Sequence, residues 1–161
     1  MHFRLEKHTS SNLILKLINL TNDNRHKEFI KLLSKSCLKG DTIVYVLKID
    51  DEICGFIGLS ASKIDSIPCI NIDYLHVVEK YRKNIFENLN NQKISEFLIS
   101  FSIKKAVDIK NSVGLRWLIL TPDNEELEKY YIDSFEFTKY KSKKDDVVYL
   151  FIAIKSINND G

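Results

Sequence analysis

The chain has 161 residues, 44% hydrophobic and 29% charged, with a formal net charge of +2. That length and apolar content suit one domain over residues 1–161 with a real core. The near-balanced charge excludes a partner chosen by bulk electrostatics alone, and three cysteines (Cys37, Cys54, Cys69) without a CxxC spacing argue for a reducing cytosol and against a zinc or other metal site.

The opening stretch MHFRLEKHTSSN has neither the apolar run nor the cleavage site of a secretory signal, and no apolar run is long enough to span a membrane. The expected location is the cytoplasm, with no membrane partner. In SNLILKLINL and HKEFIKLLSKSCL, apolar residues recur at spacings of three and four, as in Phe29, Leu32, Leu33 and Cys37. This predicts two early amphipathic helices, closed by Gly40. DTIVYVLKID is β-branched and aromatic, DDE turns the chain, and ICGFIGLSASKI follows, so residues 41–49 and 53–62 are expected to form a hairpin. A third strand, CINIDYLHVV, starts after a break at Pro68.

Further on, Ile94, Phe97, Leu98, Phe101, Ile103, Ala106, Val107 and Ile109 trace a broad apolar stripe with lysines opposite, a helix that packs on a sheet and ends near Asn111. GLRWLILT reads as a strand buried on both faces. In PDNEELEKYYIDSF, Asp123 as N-cap with Glu126 three residues on forms a capping box that opens a short helix. FEFTKYKS and VVYLFIAIKS flank a KKDD turn and close the chain as a hairpin. The order is helix, helix, strand, strand, strand, helix, strand, helix, strand, strand. Its one strand–helix–strand crossover over residues 70–120 predicts an α/β (α+β) fold with a largely antiparallel sheet.

This order and several phrases resemble the GNAT superfamily of acyl-CoA-dependent N-acetyltransferases over almost the whole chain. DDEICGFIGLSASKI is similar to the family's second and third strands, and IDYLHVVEKYR to its fourth strand with the Tyr-Arg pair that leads into the pyrophosphate loop. GLRWLILTPDNEELEKYYIDSFEF is similar to its fifth strand and the helix that follows. GFIGLSASKI and YLFIAIKSI look most like the toxin branch of toxin–antitoxin pairs, whose members acetylate aminoacyl-tRNA.

The resemblance implies a mixed, twisted sheet with a V-shaped splay between the fourth and fifth strands and helices on both faces. It implies acetyl-CoA as cofactor, its pantetheine arm on the exposed backbone of Leu75, His76 and Val77. The pyrophosphate would lie over the helix start near Ile94, where unpaired N–H groups and the helix dipole favour an anion. Asn124 is a further cofactor-binding position on this reading.

The pyrophosphate loop departs from the family's Gln/Arg-x-x-Gly-x-Gly/Ala, because residues 78–95 hold no glycine. Aligned on the helix, Asn90 takes the Gln/Arg position, Lys93 the first Gly and Ser95 the second, which implies an insertion. Aligned on the strand, Arg82 matches but Ile85 and Glu87 replace both glycines. The first placement is preferred: Ser95 is small, Asn reaches positive φ more readily than most residues, and Arg82, Lys83 or Lys93 can supply charge.

Acetyl transfer needs a deprotonated amine, a donor to the tetrahedral oxyanion and an acid for the departing thiolate. Tyr131 falls where the family has its tyrosine acid, with Tyr130 as neighbouring candidate. Six positions separate Tyr131 from Phe137, one more than is usual, and Glu136 stands where the family has Gly. Paired aromatics on a short helix also pack against a sheet, so a structural role competes. Asp73 and His76 lie three apart on a strand and point to opposite faces, so only one can serve as base. Cys54 and Cys69 lack the setting of an acyl-transfer nucleophile and read as core. Trp117 belongs to the core or to the arm's gap. The lysines of KYKSKK, residues 139–144, form either a solvated turn or an RNA contact.

Three functions stay open at this level. The first is an N-acetyltransferase acting on a small-molecule, aminoacyl or peptidyl amine. The second is a toxin with tRNA as substrate and an antitoxin as partner. The third is a GNAT-shaped binding or regulatory module that no longer turns over acetyl-CoA. Oligomeric state is also open, a homodimer included.

Overall fold

The period of the apolar residues sets most elements of the computed structural model, which describes residues 2–8 and 16–155. The strands are β1 (Phe3–His8), β2 (Thr42–Ile49), β3 (Glu52–Ile64), β4 (Ile67–Val77), β5 (Trp117–Leu120), β6 (Thr138–Lys141) and β7 (Val148–Ala153). The helices are α1 (Asn24–Leu38), α2 (Ile94–Lys110) and α3 (Glu125–Phe135). Residues 16–18 are also helical, and the earlier part of that expected helix lies outside the described residues. One mixed seven-stranded sheet runs β1-β2-β3-β4-β5-β7-β6, with β4–β5 parallel and β1–β2, β2–β3, β5–β7 and β6–β7 antiparallel.

Three sequence expectations need correction. The first described element is a strand, β1, and not a helix: Phe3 and Leu5 alternate with Arg4 and Glu6, and the ladder Phe3↔Ile49 to His8↔Val44 fixes it. With β1 counted, β4 is the fourth strand, as the resemblance had it. Pro68 does not break the chain. It is the second residue of β4, and the reversal is made by Asp65 and Ser66, both left-handed at φ 47° and 71°. The N-cap of α3 is Asn124, one residue later than expected, its side chain accepting the N–H of Leu127 at 2.8 Å.

The chain divides into two compact units. The first, Met1–Ser60 with Asp73–Ser100, is built on Leu17, Ile30, Leu33, Val44, Val46 and Phe56. Two glycines of β3 set its layers. A Cβ added to Gly58 would lie 2.6 Å from Leu33 of α1, and one added to Gly55 would lie 2.9 Å from the His76 carbonyl oxygen and 3.0 Å from Ile94 of α2. Positions three apart on a strand face opposite ways, so α1 and the start of α2 cover opposite faces of β3.

The second unit, Ala61–Ile72 with Phe101–Gly161, gathers Ile64, Cys69 and Ile119 under Ile67, Trp117, Tyr140, Tyr149 and Phe151. Trp117 is half-buried against this cluster, stacked on Phe151 with ring centres 4.1 Å apart. Among the described residues no helix is long and apolar enough to cross a membrane.

Candidate functional site

Strand β4 pairs with β5 through three residues, Cys69↔Trp117 to Asn71↔Ile119, and then runs on to Val77. Leu75, His76 and Val77 are its last three residues. The chain leaves them with the N–H of Val78 bound to the carbonyl of Cys54 at 2.9 Å and a 3-10 turn over Glu79–Tyr81. Arg82 folds back, its Nε donating to the carbonyl of Val77 at 2.8 Å, and Lys83 follows in the left-handed region at φ 67°.

The glycine-free segment is a small closed hairpin. Phe86 N–H donates to the Gln92 carbonyl at 3.0 Å, Leu89 is buried within it, and Asn90 and Asn91 are left-handed at φ 56° and 58°. Asparagine tolerates that conformation better than other non-glycine residues, which is how the loop turns without glycine. Phe86 meets Phe3 of β1 edge-on at 5.2 Å, so the loop is pinned to the sheet's first strand. The chain then enters α2: Lys93 N–H donates to the Glu96 carboxylate at 3.1 Å, Phe97 N–H reaches the Lys93 carbonyl at 3.0 Å, Ile94 is buried, and Ser95 lies in the first turn.

Asp73 and His76 occupy different surroundings. The Asp73 carboxylate accepts the hydroxyls of Thr42 at 2.7 Å and Ser60 at 2.6 Å. Thr42, having given its proton to Asp73, accepts in turn from Ser36 at 2.5 Å. His76 is 4% exposed, among the rings of Phe56, Tyr74 and His26 at 5.3 to 6.1 Å, and its Nε2 has no hydrogen-bond partner among the described residues. Burial, with Arg82 and His26 nearby, pushes its pKa down to about 4, so the ring is neutral at pH 7. His26 Nδ1 lies 2.6 Å from the hydroxyl of Tyr74.

Tyr131 and Asn124 belong to the second unit. Asn124 caps α3 through its side-chain oxygen, which leaves its amide NH₂ for other partners. Glu136 ends the helix at φ 63°, a left-handed position that glycine takes most easily, and its N–H bonds the Ile132 carbonyl. Tyr131 packs by its ring against Tyr130, Phe135 and Phe137 at 5.7, 6.3 and 6.1 Å. Burial pushes its phenol up to about 12, so it holds its proton across the neutral range.

The KYKSKK tip is organised by Asp65. Its carboxylate accepts Tyr140 Oη at 2.7 Å, Ser142 Oγ at 3.0 Å and the backbone N–H groups of Lys143 and Lys144 at 2.8 and 3.3 Å. Of the lysines, Lys139 pairs with Glu128, and Lys141 lies 3.9 Å from Asp146.

The first unit thus brings together Leu75, His76, Val77 and Arg82 at the end of β4, and Asn90, Lys93, Ile94 and Ser95 at the start of α2. Sequence reasoning missed Glu96, Asp65 and the ring cluster of His26, Phe29 and Tyr74. Glu96 carried a legible signal, standing three residues after Lys93, the residue just before α2.

No protein-family model and no curated protein sequence matches the chain. Solved structures do match it in fold. AtaTR bound with acetyl-CoA superposes with a TM-score of 0.75 at 16% identity, covering 94% of this chain and 93% of that one. AtaT complexed with acetyl-methionyl-tRNAfMet gives 0.70 at 14%, covering 94% and 95%. A tyrosine-to-phenylalanine mutant of KacT gives 0.71 at 14%, covering 96% of both chains. The fold is the GNAT fold that the sequence phrases resemble.

Proposed function

We propose that residues 1–161 act as one cytoplasmic, acetyl-CoA-dependent N-acetyltransferase domain, and that its acceptor is the amino group of an aminoacyl-tRNA. The observation that carries this is a likeness in fold over 94% of the chain to AtaTR bound with acetyl-CoA. AtaT complexed with acetyl-methionyl-tRNAfMet favours the aminoacyl acceptor over a small amine. An antitoxin partner belongs to the same reading, since AtaT is also seen bound to the C-terminus of the antitoxin AtaR.

The residues present fit the cofactor in part. Backbone at Leu75, His76 and Val77 lies at the end of β4, and Arg82, Lys83 and Lys93 offer cations for a diphosphate, with Asn90, Ile94 and Ser95 in the same unit; Asn124, the further cofactor-binding position of the resemblance, lies in the second unit. Glu96 opposes it, because its carboxylate already accepts a hydrogen bond from Lys93 N–H. Acetyl-CoA supplies the activated acyl carbon, to which the amine nitrogen bonds as the carbon–sulfur bond breaks. Backbone N–H groups of β4 would polarise the carbonyl. The protonated Tyr131 would give its proton to the departing sulfur. The amine's surplus proton would pass to water, because burial holds His76 at about 4 and makes it a weak base. Asp73, held by two hydroxyls, is the lesser candidate for that step.

A second reading, a binding module without turnover, is favoured by the glycine-free loop and by Glu96 at the helix start. Isothermal titration with acetyl-CoA separates the two, and no binding at millimolar cofactor selects the module. Given binding, Tyr131→Phe is expected to cut acetylation of aminoacyl-tRNA by about 100-fold with cofactor affinity unchanged. Growth arrest on induced expression, relieved by the same substitution, is the expected cellular counterpart.

A further inference from the structure

Strand β1 ends the order of the sheet, and among the described residues no strand pairs with its outer side. The N–H of Asp50 donates to the His2 carbonyl at 2.9 Å, and with the ladder Phe3↔Ile49 to His8↔Val44 this sets the phase of the strand. Even-numbered residues exchange bonds with β2, while the N–H and C=O groups of Phe3, Leu5 and Lys7 point outward. Such a row of groups is a template for another strand, and proteins commonly disable it with like charges. The strand at the other end, β6, is disabled in that way: a two-fold pairing centred on Lys139, Tyr140 or Lys141 sets lysine against lysine.

The charges of β1 have the opposite effect. An antiparallel partner must match outward residues with outward residues, so a two-fold axis has to pass through a residue and not between two. Centred on Arg4, Glu6 or Lys7, the axis puts like charges opposite each other, and centred on Phe3 it leaves most of the strand unpaired. Centred on Leu5, it puts Arg4 opposite Glu6 on both sides, at the positions where facing side chains approach most closely. Phe3 then lies opposite Lys7, whose aliphatic stem can cover the ring. Phe3 and Leu5 are half-buried, and the hairpin that Phe86 pins to Phe3 carries Ile85, 65% exposed. These side chains supply the apolar area that a strand pair alone lacks.

We propose that the outer side of β1 is an interface for a second copy of this chain, the two strands running antiparallel about a two-fold axis at Leu5. Each Leu5 exchanges both backbone bonds with its counterpart, and each Phe3 does so with Lys7. Arg4 and Glu6 fix the register. Their ion pairs within the chain, Arg4 with Glu6 and Asp51 and Lys48 with Glu6, hold both side chains on one face of the strand. Nothing in this pairing depends on the acetyltransferase reading.

Sedimentation equilibrium on the purified chain tests the interface. Wild type is expected at about twice its 18.8 kDa at micromolar concentration. Arg4→Glu and Glu6→Arg each set like charges opposite each other on both sides of the axis, and each is expected to weaken self-association on the order of thirtyfold. An equimolar mixture of the two variants restores opposite charges across the axis and should dimerise with wild-type affinity, which mere destabilisation of the fold cannot produce. Leu5→Pro removes one outward N–H and no bond to β2, so it should give monomers with the charges untouched. It replaces a charge variant that fails to fold. Monomeric wild type, undiminished dimerisation in Leu5→Pro, or a mixture that associates no more tightly than either variant alone overturns the interface and leaves the acetyltransferase reading in place.

Discussion

The carboxylate of Glu96 accepts the backbone N–H of Lys93 at 3.1 Å, so the first turn of α2 carries its own anion. The start of a helix concentrates partial positive charge, and a carboxylate there stabilises the helix by about 0.3–1 kcal/mol. A diphosphate bound at the same turn would compete for the same donors.

Glu96→Gln keeps a hydrogen-bond acceptor and removes the charge. Acetyl-CoA is expected to bind on the order of fivefold more tightly, from about 1 kcal/mol of repulsion removed, while the free protein loses about 0.5 kcal/mol. Calorimetry and urea unfolding read the two effects. Weaker cofactor binding in the variant would mean that the diphosphate does not use this turn.

His76 makes folding sensitive to mild acid. Its folded pKa, about 4, lies below the unfolded value near 6.5. Between those values the unfolded chain takes up the proton and the folded chain does not, so stability falls as pH drops from about 6.5 toward 4, by up to roughly 3 kcal/mol. Chemical unfolding across that range should show the slope, and His76→Phe should flatten it. A wild-type profile without the slope would refute the buried neutral ring.

Gly55 holds β4 and α2 close. An alanine there would bring its Cβ to 2.9 Å from the His76 carbonyl, a backbone atom that cannot step aside as a side chain can. Gly55→Ala is expected to cost about 1–3 kcal/mol and to weaken cofactor binding through displacement of His76. Gly58→Ala meets the flexible end of Leu33 and should cost less. If the two variants are equally stable by urea titration, the argument from β4 backbone fails.

Asp65 ties the β3–β4 turn to the β6–β7 turn through four hydrogen bonds. Those bonds, that of Tyr140 foremost, hold its carboxyl below the usual range. Its stabilising effect is present above the unfolded pKa near 3.9 and fades as pH falls through the lower folded value. Asp65→Ala should lower the thermal midpoint more than Tyr140→Phe, which removes one bond only. Equal midpoints would show that Tyr140 alone carries the link.

Much of the fold was legible in the chain because local period and turn chemistry decide it. The alternating runs of β2, β3 and β4, the stripe from Ile94 to Ile109 and the hairpin around KKDD each carry their own signal. β1 was missed because six residues of alternation without flanking turn residues weigh little until a partner strand pairs with them. The reversal at Asp65 and Ser66 was missed because two non-glycine residues there take left-handed angles that the sheet imposes.

The sequence by itself determined the element types, most of the core and the family phrases, since these depend on neighbours within a few positions. Only the tertiary structure decided that Asp73 is held by Thr42 and Ser60, that Glu96 occupies the start of α2, and that His76 is buried beside Tyr74. Those outcomes depend on burial and on groups tens of residues apart in the chain, and local spacing carries no record of either.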